Sequence, residues 1–179
     1  MVFALWLLAA STTQPAPDAT PRAQAQPRLA GAASPISPGL CERTADEAWR
    51  CSGLAGVDVR LFGPETRRTL SLGDVRSAFP PLPMPGRFAT TIDWHVGSDS
   101  QPLAAAVRWR AAEGSAELLL VLRPAAEGAP GCVSAVAGPD ADPIALAMRH
   151  FRCERDRPVL AGTIPPPLRT ALDGWLAAL

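Results

Sequence analysis

The chain has 179 residues, 47% of them apolar, and its 17 basic residues balance 17 acidic ones to a net charge of zero. That length and composition fit one globular domain with tails and a sizeable core. No stretch concentrates positive charge strongly enough to suggest phosphate-backbone binding, so a nucleic-acid partner is not expected. Every basic residue is Arg, and Lys, Asn and Tyr are absent, a bias that points to a GC-rich bacterial coding sequence rather than to arginine chemistry.

Residues 1–10, MVFALWLLAA, form an apolar run of signal-peptide length. It is roughly half of the ~20 residues needed to span a bilayer, so it predicts export, with an uncleaved N-terminal anchor as the alternative. No membrane span is expected in the mature chain, and its location is expected to be periplasmic or secreted. Residues 11–40 carry Pro15, Pro17, Pro21, Pro27, Pro35 and Pro38 among Ala, Ser and Gln, a composition that cannot offset its ordering entropy by burial. A disordered spacer is therefore expected there, then a folded domain over 41–157 and a Pro-rich tail over 158–179.

Within the domain, short runs of β-favouring residues are separated by Gly, Pro and Ser. Strands are expected at Ala48 to Cys51, Val57 to Phe62, Arg67 to Leu72, Thr91 to Val96, Leu103 to Arg110, Glu117 to Leu122 and Cys132 to Ala137. The period then changes to that of a helix. Asp142 and Pro143 make an N-cap and first-turn pair, and Ile144, Ala147, Met148 and Phe151 share one face. Leu168, Leu172, Trp175, Leu176 and Leu179 predict a short amphipathic C-terminal helix. The expected fold class is α+β: an antiparallel meander of six to seven strands with one main helix on one face, stabilised by disulfides.

Four cysteines in an exported domain favour two disulfides. Zinc sites usually bring ligands in close pairs, whereas nine residues separate Cys41 from Cys51 and twenty separate Cys132 from Cys153. A catalytic thiol needs a nearby base, and no C-x-x-C or nucleophile motif is present. Of three connectivities, the sequential one is preferred: Cys41 with Cys51, and Cys132 with Cys153, the latter stapling a strand to the helix packed back over it. No metal or cofactor is expected.

The order WRC (Trp49 to Cys51), TIDW (Thr91 to Trp94), RW (Arg108, Trp109), ELLLV (Glu117 to Val121), a cysteine strand, PDAD (Pro139 to Asp142) and a helix ending in Cys153 resembles an uncharacterised family of small exported bacterial disulfide-containing domains. The resemblance covers about Cys41 to Cys153. It implies an exported, disulfide-bonded domain and carries over no catalytic residue.

Candidate chemistry is sparse. In TTIDWHV, strand alternation puts Ile92, Trp94 and Val96 on the apolar face and Asp93 and His95 on the other, with Arg108 a diagonal neighbour of Asp93. Asp93, His95, Arg108 and Arg110 thus define a possible binding face, whose plain alternative is a solvated sheet surface. His150 on the helix reads as packing, and Asp140 and Asp142 as capping rather than calcium ligands. The segment FPPLPMPG, Phe79 to Gly86, either displays Phe79, Leu82 and Met84 to a partner or covers a sheet edge. Three function classes follow: an exported binding or inhibitor-like module for an envelope protein or acidic ligand, an accessory subunit of an envelope complex, and an enzyme with an unrecognised Asp93/His95 site.

Overall fold

The structure, a computed structural model, describes residues 31–73, 81–125, 131–149 and 157–178. The apolar segment 1–10, Phe79, His150, Phe151 and Cys153 lie outside them. The strands are β1 (Gly31–Pro35), β2 (Glu42–Ala45), β3 (Ala48–Cys51), β4 (Val59–Phe62), β5 (Thr69–Leu72), β6 (Gly86–Phe88), β7 (Thr91–Val96), β8 (Pro102–Ala111), β9 (Glu117–Arg123), β10 (Cys132–Ala137) and β11 (Val159–Ala161). Among the described residues two α-helices accompany them, α1 (Pro143–Arg149) and α2 (Pro166–Ala178).

The strands form two sheets rather than the single meander expected. A four-stranded antiparallel sheet runs β2-β3-β4-β5, and a seven-stranded sheet runs β1-β7-β8-β9-β10-β11, with β6 also paired to β8. The larger sheet is mixed, because β10 and β11 are parallel. The reason lies in the connection: a chain that leaves β10, makes α1 and returns beside β10 arrives in the same direction, as crossover connections require. Sequence periodicity identifies such a strand and helix but not the return strand, which is only three residues long.

The inner faces of the two sheets build the main core. Val59, Leu61, Leu70 and Leu72 of the small sheet join Ile92, Trp94, Val107, Trp109, Leu118, Leu120 and Leu122 of the large one, and Leu168 and Leu172 of α2 belong to the same cluster. On the other face of the large sheet, Leu146 and Ala147 of α1 pack on Ala104, Ala106, Leu119, Val121, Ala135 and Ala137. Strand β9 is buried on both sides, which explains its unbroken apolar run LLLVL. In β10 a register shift between Val133 and Ala135 turns both Val133 and Val136 into the main core.

Gly31–Pro35, expected to belong to the spacer, is a strand. It pairs antiparallel with β7, and the buried Ser34 hydroxyl accepts a hydrogen bond from Trp94 Nε1 at 2.9 Å. Cys41 and Cys51 are joined in a disulfide, as the sequential pairing expects, and no described cysteine is a free thiol. The N-cap also stands where expected: Asp142 Oδ1 accepts from the backbone N–H of Ile144 and of Ala145 at 2.9 and 3.3 Å. Leu82 of the Pro-rich loop is buried in the core, which favours the covering reading of that loop over display. Among the described residues no helix is long and apolar enough to cross a membrane.

Candidate functional site

The face of the large sheet opposite the main core is divided in two. Side chains alternate along β7 and β8, so Asp93, His95, Ala104, Ala106, Arg108 and Arg110 share it, with Asp93 opposite Ala106 and His95 opposite Ala104. Where the sheet carries alanines, α1 lands on it. Beyond Ala106 the same face turns cationic and stays open.

His95 belongs to the covered half. It is 5% exposed, and neither ring nitrogen has a hydrogen-bond partner. Burial pushes its imidazolium below the ordinary value of 6.5, while the carboxylates of Asp93 and Asp142 act in the opposite direction. The expected projection of His95 alongside Arg108 and Arg110 is therefore corrected. Alternation assigned the right face, but packing on that face leaves His95 buried while Arg108 and Arg110 stay exposed. His95 makes no hydrogen bond to Asp93, so the two do not form a bonded acid–base pair.

The open half is built on three strands. Arg110 of β8 lies opposite Arg87 of β6 on one side and opposite Glu117 of β9 on the other, and Arg108 stands two residues along β8. Arg87, Arg108, Arg110 and Glu117, with Phe88, Ala89, Thr90, Ala111, Ala112 and Gly114, line an open cavity of about 630 Å³. Three arginines against one carboxylate leave a formal lining charge of +2 (three minus one) on a chain whose net charge is zero.

The ion pairs here are long. Arg108 Nη1 stands 3.6 Å from Glu117 Oε1, Arg110 Nη2 3.5 Å from Glu117 Oε2, and Arg87 Nε 3.4 Å from Glu65 Oε1. The carboxylate partner of Arg108 is Glu117 rather than the diagonal Asp93. The side chains of Arg87, Arg108 and Arg110 remain between half and three-quarters exposed, whereas that of Glu117 is 21% exposed. Such pairs hold loosely, because solvent screens them and holding two long side chains in one geometry costs entropy.

Residues Arg87 to Thr90 also form the wall of a second cavity of about 300 Å³ that reaches Ser37, Glu65 and Arg68. Arg68 stacks on the Trp49 ring at 4.6 Å from its centroid, and its Nε is buried without an acceptor. Burial lowers the Arg68 pKa, with Glu65 and Glu47 opposing. Arg108 and Arg110 are legible from the period of β8, but Arg87, Glu117 and Arg68 are not. The first two are placed by cross-strand register, and Arg68 by the contact between a loop and the small sheet. Neither is a property of local sequence. Among the described residues no group of three or more His, Cys, Asp or Glu side chains is placed to hold a metal ion.

Comparisons with protein-family models, with curated proteins and with solved structures find nothing that matches this chain.

Proposed function

We propose that the protein is an exported binding module that recognises a carboxylate-bearing segment of a protein partner through the arginine-lined cavity of the large sheet. The observation that carries this reading is the placement of Arg87, Arg108 and Arg110 around one open cavity with a single internal carboxylate. Guanidinium groups present planar, forked donors that match carboxylates, and charge complementarity on an exposed face sets partner choice and encounter rate. The Cys41–Cys51 disulfide supports an oxidising compartment. The apolar segment 1–10 is consistent with the same destination.

The test is fluorescence anisotropy with a short peptide bearing two aspartates and an uncharged dye. Arg108→Ala and Arg110→Ala are each expected to weaken binding roughly tenfold, as loss of a charge-assisted hydrogen bond implies. The same substitutions should shift folding stability by only about 0–1 kcal/mol, since the side chains are exposed. Binding left unchanged by both, or variants that fail to fold, would remove the support for this face.

A further inference from the structure

The cavity already contains a carboxylate, that of Glu117, and it is held in an informative way. One oxygen, Oε1, faces Arg108 and the other, Oε2, faces Arg110. This is how a partner's carboxylate would sit between two guanidiniums two residues apart on a strand. On the far side of Arg110, the directly opposite residue is Arg87, whose own carboxylate neighbour, Glu65, comes from the short 3-10 turn between β4 and β5 that packs beside β6. The row across the sheet therefore reads Glu65, Arg87, Arg110, Glu117: anions at both ends, two like charges adjacent in the middle. Cationic side chains directly opposite one another repel unless an anion lies between them. The row has acceptors at its ends and a place for one at its centre.

Resting on the binding reading above, we infer that Glu117 is a built-in competitor that sets the specificity of the site, favouring ligands with two carboxylates over those with one. A single incoming carboxylate either takes the central place, where it shares Arg110 with Glu117, or replaces Glu117 on Arg108 and Arg110; in both it works against a group tethered on the neighbouring strand at high effective concentration. A ligand with two carboxylates can bridge Arg87 and Arg110 with one while the other takes Arg108 from Glu117. The ion pairs of Glu117 are long enough to be surrendered, and its low exposure keeps it beside the arginines rather than out in water.

The experiment compares two dye-labelled peptides of equal length, one with a single aspartate and one with two aspartates two residues apart, against the wild type, Glu117→Gln, Glu117→Asp and Arg110→Ala. Wild type should prefer the two-aspartate peptide. Glu117→Gln should tighten the single-aspartate peptide by roughly two- to fivefold, the range set by losing one exposed ion pair, and tighten the two-aspartate peptide less, so that selectivity falls. Glu117→Asp, which keeps the charge but draws it back by one methylene, should lie between. Affinities that do not change or that weaken in Glu117→Gln, while Arg110→Ala still abolishes binding, would overturn the competitor role and leave the binding reading standing. Absence of binding of either peptide to wild type and to Glu117→Gln would overturn both. Melting curves of each variant separate these outcomes from loss of fold, and a Glu117→Gln chain that cannot fold transfers the decision to Glu117→Asp.

Discussion

Replacing His95 with Leu tests whether this residue is a structural element or a chemical one. His95 is buried, and both ring nitrogens lack partners. A buried polar group left without a hydrogen bond costs about 1–3 kcal/mol, whereas an apolar side chain of similar size at the same place carries no such cost. Allowing for imperfect packing, Leu should stabilise the fold by about 1–2 kcal/mol, which for a domain of this size is roughly 2–8 °C in melting temperature. The pH dependence gives an independent arm. In the unfolded chain this histidine titrates near its ordinary value of about 6.5, and in the fold burial holds its pKa lower. Between the two values the unfolded state binds more protons, so its contribution to stability is full above pH 6.5 and is lost as pH falls toward the folded value. Thermal and urea unfolding of wild type and His95→Leu at pH 7.5, 6.5 and 5.5 should therefore show a gap in favour of Leu that widens with acid. A Leu variant that is destabilised at pH 7.5, with a gap that stays constant down to pH 5.5, would show that the imidazole has partners and would refute the reasoning.

Two further substitutions probe the frame of the site. Ser34→Ala leaves Trp94 Nε1 without its acceptor inside the core and should cost about 1–3 kcal/mol, read as a lower urea midpoint; a shift within measurement error would mean that β1 is not anchored through this bond. Gly86→Ala would drive a methyl group into the Trp109 ring and to 2.6 Å from the Arg110 carbonyl oxygen, so it should destabilise by about 1–3 kcal/mol and weaken binding of the two-aspartate peptide through displacement of Arg87; a variant with wild-type stability would show that β6 does not approach β8 this closely.

Alternation made the inner-core positions legible. Ile92 and Trp94 are both fully buried, as TIDWHV implies, and the continuous run in β9 marks a strand covered on both sides. The cap at Asp142 was legible because an Asp before Pro has few better uses. Strand β2 was not, since none of its four residues is buried and its sequence carries no alternation to read. Strand β1 was masked by its composition: Ala, Ser and Pro favour no strand, and Gly31–Pro35 becomes one through pairing with β7 and the bond to Trp94. The candidate site was half legible for the same reason. Periodicity gives the face of Arg108 and Arg110, while cross-strand register brings Arg87 and Glu117 to it and burial removes His95 from its open part.

Strand β8 shows why the covered and open halves fall where they do. On the α1 side it reads Ala104, Ala106, Arg108, Arg110. Two methyl-sized side chains let a helix approach the sheet closely, and Leu146 and Ala147 fill that space. The next two positions could be covered only by burying guanidiniums, at a desolvation cost that a short helix with no acidic residue in its first turn does not offset. On the opposite side of the same strand, Val107 and Trp109 are 1% and 3% exposed, so the backbone that bears the arginines is fixed by the main core while their side chains stay in solvent. On the proposed binding reading, a partner would find the cations already positioned, and binding would have to order side chains alone rather than backbone. That is the condition under which exposed charges, individually worth little to folding, become useful for recognition.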